Sequence, residues 1–359
     1  RWRVLQSLHA IRRAGGSSSV RARDEPFPPF VPIELGSGDD GLRASVLPYG
    51  ARLASLWAPA RAGPVNVVLG YADPRRYATD AAYHGAPIGR VSGRIAQAGF
   101  ELEGQRYTLE ANEPPHHLHG GPRGFHGRAW RVLQLERGAS SRLVLGLELA
   151  DGTDGYPGRL EATLTYALEP DALRIELLAR VDRTTPVALT MHPYFNLSGS
   201  HAAPVLDHLL CVESDEILEL DAGLIPTGTR LQVADTPFDF RDEMRLDARL
   251  ARPHRQLELG RGLDHCYVLR PERARDARLR HAGSGLALTL TSNQPALQVY
   301  AGHYLAPPPG TAPWRANCGI CLEPQAFPNA VNEPHFPSTL WHPGSTWRST
   351  IRYGFSRRD

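Results

Sequence analysis

From about Phe30 onward the chain is a long succession of short, partly alternating apolar runs, each closed by glycine, proline, asparagine or aspartate. That punctuation constrains the fold more than any other feature. Leu160-Glu-Ala-Thr-Leu-Thr-Tyr166 and Leu173-Arg-Ile-Glu-Leu177 alternate apolar with polar side chains, the period of strands with one face buried. Leu42-Arg-Ala-Ser-Val-Leu47, Leu143-Val-Leu-Gly-Leu-Glu-Leu149, Leu286-Ala-Leu-Thr-Leu-Thr291, Ala296-Leu-Gln-Val-Tyr300 and Thr346-Trp-Arg-Ser-Thr-Ile-Arg-Tyr353 carry the pattern to the end. Pro48-Tyr49-Gly50 and Asp151-Gly152 supply turn chemistry between them. The 31 prolines are spread through the chain and oppose long helices; Asp242–Leu250 is the best short helical candidate. The pattern predicts an all-β fold, a large antiparallel β-sandwich. No repeat, linker or break in composition divides 30–356, which predicts a single domain there.

Composition removes several function classes. Every one of the 40 basic residues other than histidine is arginine, and 38 acids nearly cancel them to a net charge of +2. Neither nucleic acid nor an anionic lipid surface is an expected partner, and the arginine usage reads as a bias of base composition. No apolar run approaches the roughly 20 residues needed to cross a bilayer. The four cysteines do not form a disulfide-stapled pattern. Cys318-Gly-Ile-Cys321 has redox or zinc spacing, but without a second such pair it reads as two ordinary thiols near a core strand. Arg1, Arg3, Arg12, Arg13, Arg21 and Arg23 precede the first acid, Asp24. Residues 1–29 are therefore expected to be a disordered or targeting leader outside the fold. A cytoplasmic monomer or weak homodimer is expected, with an exported or organellar location left open by that leader.

Two segments carry the chemistry. Cys321-Leu322-Glu323-Pro324-Gln325 places a carboxylate in a stretch that otherwise reads as a buried strand; desolvation makes its charged form costly unless it is paired or working. Thr190-Met191-His192-Pro193-Tyr194-Phe195-Asn196 sets a histidine among apolar and aromatic neighbours. One Glu and one His are the parts of a general base and general acid pair. Polar groups also crowd Gly89-Arg90-Val91-Ser92-Gly93-Arg94-Ile95, the His116, His117, His119 and His126 stretch, Asp264 at the mouth of an apolar strand, and Gln298 within one. Singly, each has an ordinary use: a surface ion pair for Arg94, a turn cap for Asp264, a satisfied strand amide for Gln298. The clustered histidines lie too close for three to converge on a metal, and no HExxH or carboxylate motif accompanies them. Together these groups suit a neutral polyol, whose hydroxyls both donate and accept. Rings such as Tyr194, Phe195 and Trp130 would cover its apolar face.

The order and wording of these segments resemble the aldose 1-epimerase (galactose mutarotase) family. The carrying motifs are Tyr49-Gly50-Ala51, Gly89-Arg90-Val91 with Arg94-Ile95, and Leu118-His119-Gly120-Gly121 with Gly124-Phe125. They continue through His192-Pro193-Tyr194-Phe195-Asn196-Leu197, Leu263-Asp264-His265, and Leu322-Glu323-Pro324-Gln325 with Phe327-Pro328 and Asn332. The resemblance runs from roughly residue 35 to 355. It implies a β-sandwich that interconverts the anomers of free aldohexoses with no metal or organic cofactor, a monosaccharide being the partner. It further implies His192 as general acid, Glu323 as general base, and Arg94, His119, Asp264 and Gln298 as ligands of sugar hydroxyls. Glu323 is then expected to stay ionised and His192 to hold its proton near neutral pH, with Asp264 favouring the charged imidazole. One departure stands out: Gly93 occupies the place where the family usually has asparagine, which motivates an alternative, a related enzyme acting on another sugar. A non-catalytic carbohydrate-binding protein is the alternative from another class.

Overall fold

The computed structural model describes residues 18–21, 27–38, 41–138, 140–306 and 314–357. The alternating runs pair as a ten-stranded antiparallel sheet in the order Ser18–Arg21, Arg131–Arg137, Ser141–Leu149, Leu160–Leu168, Ala172–Val181, Thr346–Arg357, Leu286–Ser292, Ala277–Arg280, Leu209–Val212 and Met244–Arg245. A six-stranded antiparallel sheet runs Tyr194–Phe195, Ile320–Gln325, Ala296–Tyr300, Asp264–Leu269, Ser214–Leu220 and Pro226–Gln232. A third sheet joins Ile33–Gly36, Arg43–Leu47, Arg52–Ala60 and Gly63–Asn66.

Register follows the apolar alternation. Leu164 opposes Leu177 and Tyr166 opposes Ile175, and all four are fully buried. Leu288, Leu290 and Ile351 of the large sheet share one apolar cluster with Leu297, Val299, Ile320 and Leu322 of the six-stranded sheet. Phe195 and Tyr353 bridge the two with ring centroids 5.0 Å apart. Each fully buried Leu or Ile in this layer contributes about 1.5–3 kcal/mol. The fold is an all-β, antiparallel sandwich.

Two expectations need correction. The helix expected over 242–250 is shorter. Met244–Arg245 forms a strand against Leu209 and Leu210, and only Leu246–Leu250 is helical. The available edge of the large sheet outcompetes local helical spacing at Met244. A second short helix, Arg255–Gly260, follows, its first turn capped by the His254 ring accepting from Gln256 N at 3.1 Å. Within the stretch expected to be a disordered leader, Ser18–Arg21 is a strand paired with Arg131–Arg137. Unpaired backbone groups at a sheet edge attract any free extended segment. Residues 1–17 and 22–26 lie outside the described residues. No described helix is long and apolar enough to cross a membrane.

Burial of histidines links the fold to pH. Burial lowers the pKa of His126 and His208 to about 4 and that of His265 to about 3. Unfolded histidine titrates near about 6.5, so between that pH and about 4 the unfolded chain binds protons that the fold refuses, and stability falls as pH falls. At pH 5 the loss is about 2 kcal/mol per histidine. Glu323 and Asp276, whose carboxyls burial pushes up, act in the opposite direction. The histidines outnumber them, so thermal scans at about pH 7.5 and pH 5 should give the lower Tm at pH 5. An equal or higher Tm at pH 5 would contradict this balance.

Candidate active site

Strand register assembles one face of the six-stranded sheet into two rows of functional side chains. Residues opposite one another on antiparallel strands share a face. Cys266 opposes Gln298, and Gln298 opposes Glu323. One step along, Asp264 opposes Tyr300, Tyr300 opposes Cys321, and Cys321 opposes Tyr194. The other face of the Glu323 strand, Ile320 and Leu322, packs into the core. Alternation thus buries the apolar half of the strand and turns Glu323 and Gln325 toward a cavity of about 370 Å³, with Cys321 on the same face of the strand but packed in an apolar cluster beside it. That size falls at the lower end of small-molecule pockets, about 300–1,000 Å³.

The His192 strand, Thr190–His192, is tied to the same region from the side. It pairs with Ala86–Ile88, and Thr190 Oγ1 donates to Pro324 O at 2.8 Å. This brings His192 Nε2 to 3.6 Å from Glu323 Oε1. Glu323 Oε2 is buried without a hydrogen-bond partner among the described residues. Burial, reinforced by Asp264, raises the Glu323 pKa well above the usual carboxyl range. Burial lowers that of His192 to about 3. The expected pair of ionised Glu323 and protonated His192 is therefore corrected. Burial, not Asp264, dominates at His192, and two buried groups without solvent share a neutral state. An acid–imidazole pair and a carboxylate–imidazolium pair contain the same number of protons, so the two differ only in where one proton sits.

The opposite wall is built by two glycine-bearing segments. Arg94–Ile95 pairs with His117–Leu118. Gly93 N then donates to His119 Nδ1 at 3.2 Å, and His119 N donates to Gly93 O at 3.1 Å. With Nδ1 accepting, neutral His119 carries its proton on Nε2; burial and the neighbouring His192 and Arg94 hold its pKa well below the ordinary value. His119 itself sits at φ 55°, a left-handed conformation that costs a non-glycine residue about 1–2 kcal/mol. The Arg94 fork is bidentate to Glu113, with Nε at 2.6 Å and Nη2 at 2.8 Å. Burial works against that charge, but Glu113 and Asp264 outweigh it and raise the Arg94 pKa. Gln298 Nε2 donates to Asp264 Oδ1 at 2.6 Å, while Gln298 Oε1 is buried without a partner among the described residues. His192, Glu323, Arg94, His119, Asp264 and Gln298 all line the one cavity.

The family model described as aldose 1-epimerase matches residues 33–354. The chain is 38% identical to galactose mutarotase from Sus scrofa over 326 residues, 88% of this chain and 92% of that protein. This chain belongs to the aldose 1-epimerase family. It is also 34% identical to aldose 1-epimerase from Escherichia coli (strain K12), over 88% of this chain and 92% of the relative. Among solved structures, an aldose epimerase homologue from C. elegans superposes with a TM-score of 0.84 at 32% identity, covering 92% of this chain and 99% of that one. Galactose 1-epimerase from Lactobacillus acidophilus NCFM gives 0.83 at 26% identity, over 96% and 100%.

In this family member the cavity also contains groups that the sequence did not single out. Tyr83, Glu113, Tyr300, Tyr304 and Gln325 line it. Tyr83 is held at φ 59°, its ring edge-on to His119 and His126 at 4.8 and 4.7 Å. Beneath Tyr83 lies a buried ion cluster. Asp80 accepts from Arg52 Nη1 at 2.7 Å, contacts His84 Nδ1 at 2.9 Å and accepts from His84 N at 2.7 Å. Arg52 in turn donates to the carbonyls of His84 and His126. Of the three aromatic rings expected over a sugar, Tyr194 lines the cavity. Phe195 and Trp130 do not: both are in the core cluster, Phe195 because the residue after Tyr194 must face the other side of a strand, and Trp130 because it packs edge-on to Phe125 at 5.4 Å.

The crowded histidines are engaged separately. His116 Nδ1 accepts from Gln97 N, and His117 bonds Glu110 O and the Tyr156 hydroxyl. One group among the described residues, His192, Cys321 and Glu323, brings potential metal-ligating atoms within 4.8 Å of one another. Its thiol faces His192 Nδ1 at 3.4 Å and its carboxylate faces Nε2 at 3.6 Å, so one ion could replace only one of these contacts without rearrangement. Where the resemblance led to an expectation of asparagine, Gly93 has φ 73°, which glycine adopts freely and asparagine tolerates. A Cβ there would stand 3.0 Å from Pro328 Cβ. The glycine leaves that corner of the cavity open.

Proposed function

We propose that this chain interconverts the α and β anomers of free aldohexoses such as glucose and galactose by acid–base ring opening and closure. The observation that carries this reading is the Glu323–His192 pair at 3.6 Å, with Glu323 Oε2 free to receive a proton. Glu323 Oε2 takes the C1 hydroxyl proton as the C1–ring oxygen bond breaks; the bond's electron pair leaves with the ring oxygen, which takes a proton from His192 Nε2. The product is an open aldehyde. Rotation about C1–C2 presents the other carbonyl face; as the ring closes, Glu323 returns its proton to the carbonyl oxygen and His192 Nε2 takes back the proton that the attacking hydroxyl sheds. The buried pair holds one mobile proton, and a sugar hydroxyl approaching Oε2 favours the carboxylate–imidazolium arrangement needed at that instant. Each positioned group contributes about 10²–10⁴-fold.

Arg94, His119, Asp264 and Gln298 orient the ring through its hydroxyls in this reading. Their unused donors and acceptors, His119 Nε2–H and Gln298 Oε1 among them, suit groups that both donate and accept. Arg94→Ala should raise KM by about tenfold or more, the scale of hydrogen bonds to a charged group, and also lower kcat as the ring loses its fixed orientation. An unchanged KM would remove Arg94 from the binding set. The activity itself is tested by polarimetry on freshly dissolved α-D-glucose and α-D-galactose, with xylose and arabinose beside them. The proposal requires faster approach to anomeric equilibrium than in buffer with a hexose; acceleration with the pentoses alone points to the other-sugar alternative that open Gly93 favours, and sugar binding without acceleration points to a binding protein.

A further inference from the structure

The Cys318-Gly-Ile-Cys321 stretch reads from sequence as two inert thiols, and all four cysteines are buried and unpaired. Cys321 nevertheless stands on the cavity-facing side of its strand, two residues before Glu323 and in the same row as Tyr194. Its Sγ lies 3.4 Å from His192 Nδ1, within reach of an N–H···S hydrogen bond. Two further influences bear on which atom holds the proton. The residue's own backbone carbonyl raises the His192 pKa, as an acceptor facing a ring N–H does, and only Nδ1, next to Cγ, can face it. Burial raises the Cys321 pKa well above its ordinary value, with Tyr194 working in the opposite direction, so the sulfur faces the ring as a thiol.

We propose that Cys321 is a positioning residue: its Sγ helps keep a proton on His192 Nδ1, so that Nε2 is the ring atom that exchanges protons with Glu323 and with the sugar. This rests on the acid–base reading above. Through the cycle the ring alternates between imidazolium and the Nδ1–H neutral form; Nε2 releases a proton to the ring oxygen on opening and regains it on closure. The Nδ1 proton never leaves. Were the neutral ring to carry its proton on Nε2 instead, Nε2 could not take back the proton that the closing ring must shed.

The tautomer is readable in the wild-type protein without any turnover. ¹⁵N NMR of histidine-labelled protein at neutral pH, with His192 assigned by comparison with His192→Asn, should show the proton on Nδ1; an Nε2–H neutral ring overturns the proposal. Kinetics supply the second arm. Cys321→Ala should lower kcat about tenfold, the weight of roughly one hydrogen bond, with KM within about twofold. Cys321→Ser, which restores an acceptor, should recover kcat to within about threefold of wild type. Cys318→Ala, a buried thiol of the same apolar cluster, controls for lost packing and should leave kcat unchanged. Full kcat in Cys321→Ala, or equal losses in the Ala and Ser variants, also overturns it. If wild type does not accelerate anomer exchange, the functional reading fails while the NMR result still decides the tautomer.

Discussion

Replacing Glu323 by glutamine should lower kcat for anomer exchange by about 10²–10⁴-fold while moving KM by no more than about twofold. The amide keeps the shape and the hydrogen-bonding reach of the side chain, so the sugar still meets Arg94, His119, Asp264 and Gln298 around the same cavity. It removes the proton acceptor at Oε2, the buried oxygen without a partner among the described residues. It also removes the mobile proton that the carboxyl exchanges with His192 across 3.6 Å. Stability should hold or rise. The wild-type carboxyl is buried beside Asp264, which pushes its pKa up, and a neutral isostere relieves that penalty wherever the charged form is populated. A variant with full kcat, or one whose loss appears only as a raised KM, would take the base role away from Glu323.

The second large effect is structural. Asp80→Asn should destabilise the fold by about 3–5 kcal/mol, because it strands a buried arginine without its counter-charge. Arg52 and Asp80 are essentially without solvent contact. Burial raises the Asp80 pKa, but His84, Arg52 and the Ala82 backbone N–H outweigh it and hold the carboxyl far below its usual range. Stability from this group is present above the unfolded carboxyl pKa and is lost as pH falls through the depressed folded value. For a chain of this size the loss corresponds to a Tm lower by about 4–7 °C. Glu148→Gln, which breaks a half-exposed pair with Arg159, should leave Tm unchanged by comparison. Asp80 also anchors the turn carrying Tyr83, so residual folded protein should bind sugar more weakly. An unaltered Tm in Asp80→Asn would mean that the cluster does not brace the cavity wall.

The sandwich was legible because its information is local. Strand alternation at Leu160–Leu168 and Ala172–Val181 says which side chains turn inward, and the pairing that follows only has to respect it. Six cavity residues were legible for a different reason: Glu323, His192 and Asp264 are costly residue types in apolar surroundings, and their motifs resemble a known family in unbroken order. Asp80, Arg52, Tyr83 and Glu113 gave no such signal. Asp80 and Tyr83 sit in a short, alanine-bearing turn, and Glu113 in a proline-rich loop; each acquires its place only when a segment distant in the chain closes on it. Arg52, a charge between Ala51 and Leu53 at the start of an apolar run, could have been flagged as a buried cation seeking a partner. The assignment of Phe195 and Trp130 to the sugar face failed by treating aromatic neighbours as equivalent, where strand alternation separates Tyr194 from Phe195. The protonation of His192 failed similarly: composition places an acid nearby, but only the fold reveals that burial dominates.

Anomer exchange by this mechanism needs Glu323 and His192 to act as one proton-exchanging unit, and a double variant measures that directly. Polarimetric rates of anomer exchange should be compared for wild type, Glu323→Gln, His192→Asn and the combined variant at equal folded concentration. If the two groups form one unit, each single variant loses most of the acceleration and the double variant loses hardly more. Losses that multiply in the double variant, or a single variant that keeps the wild-type rate, would contradict it.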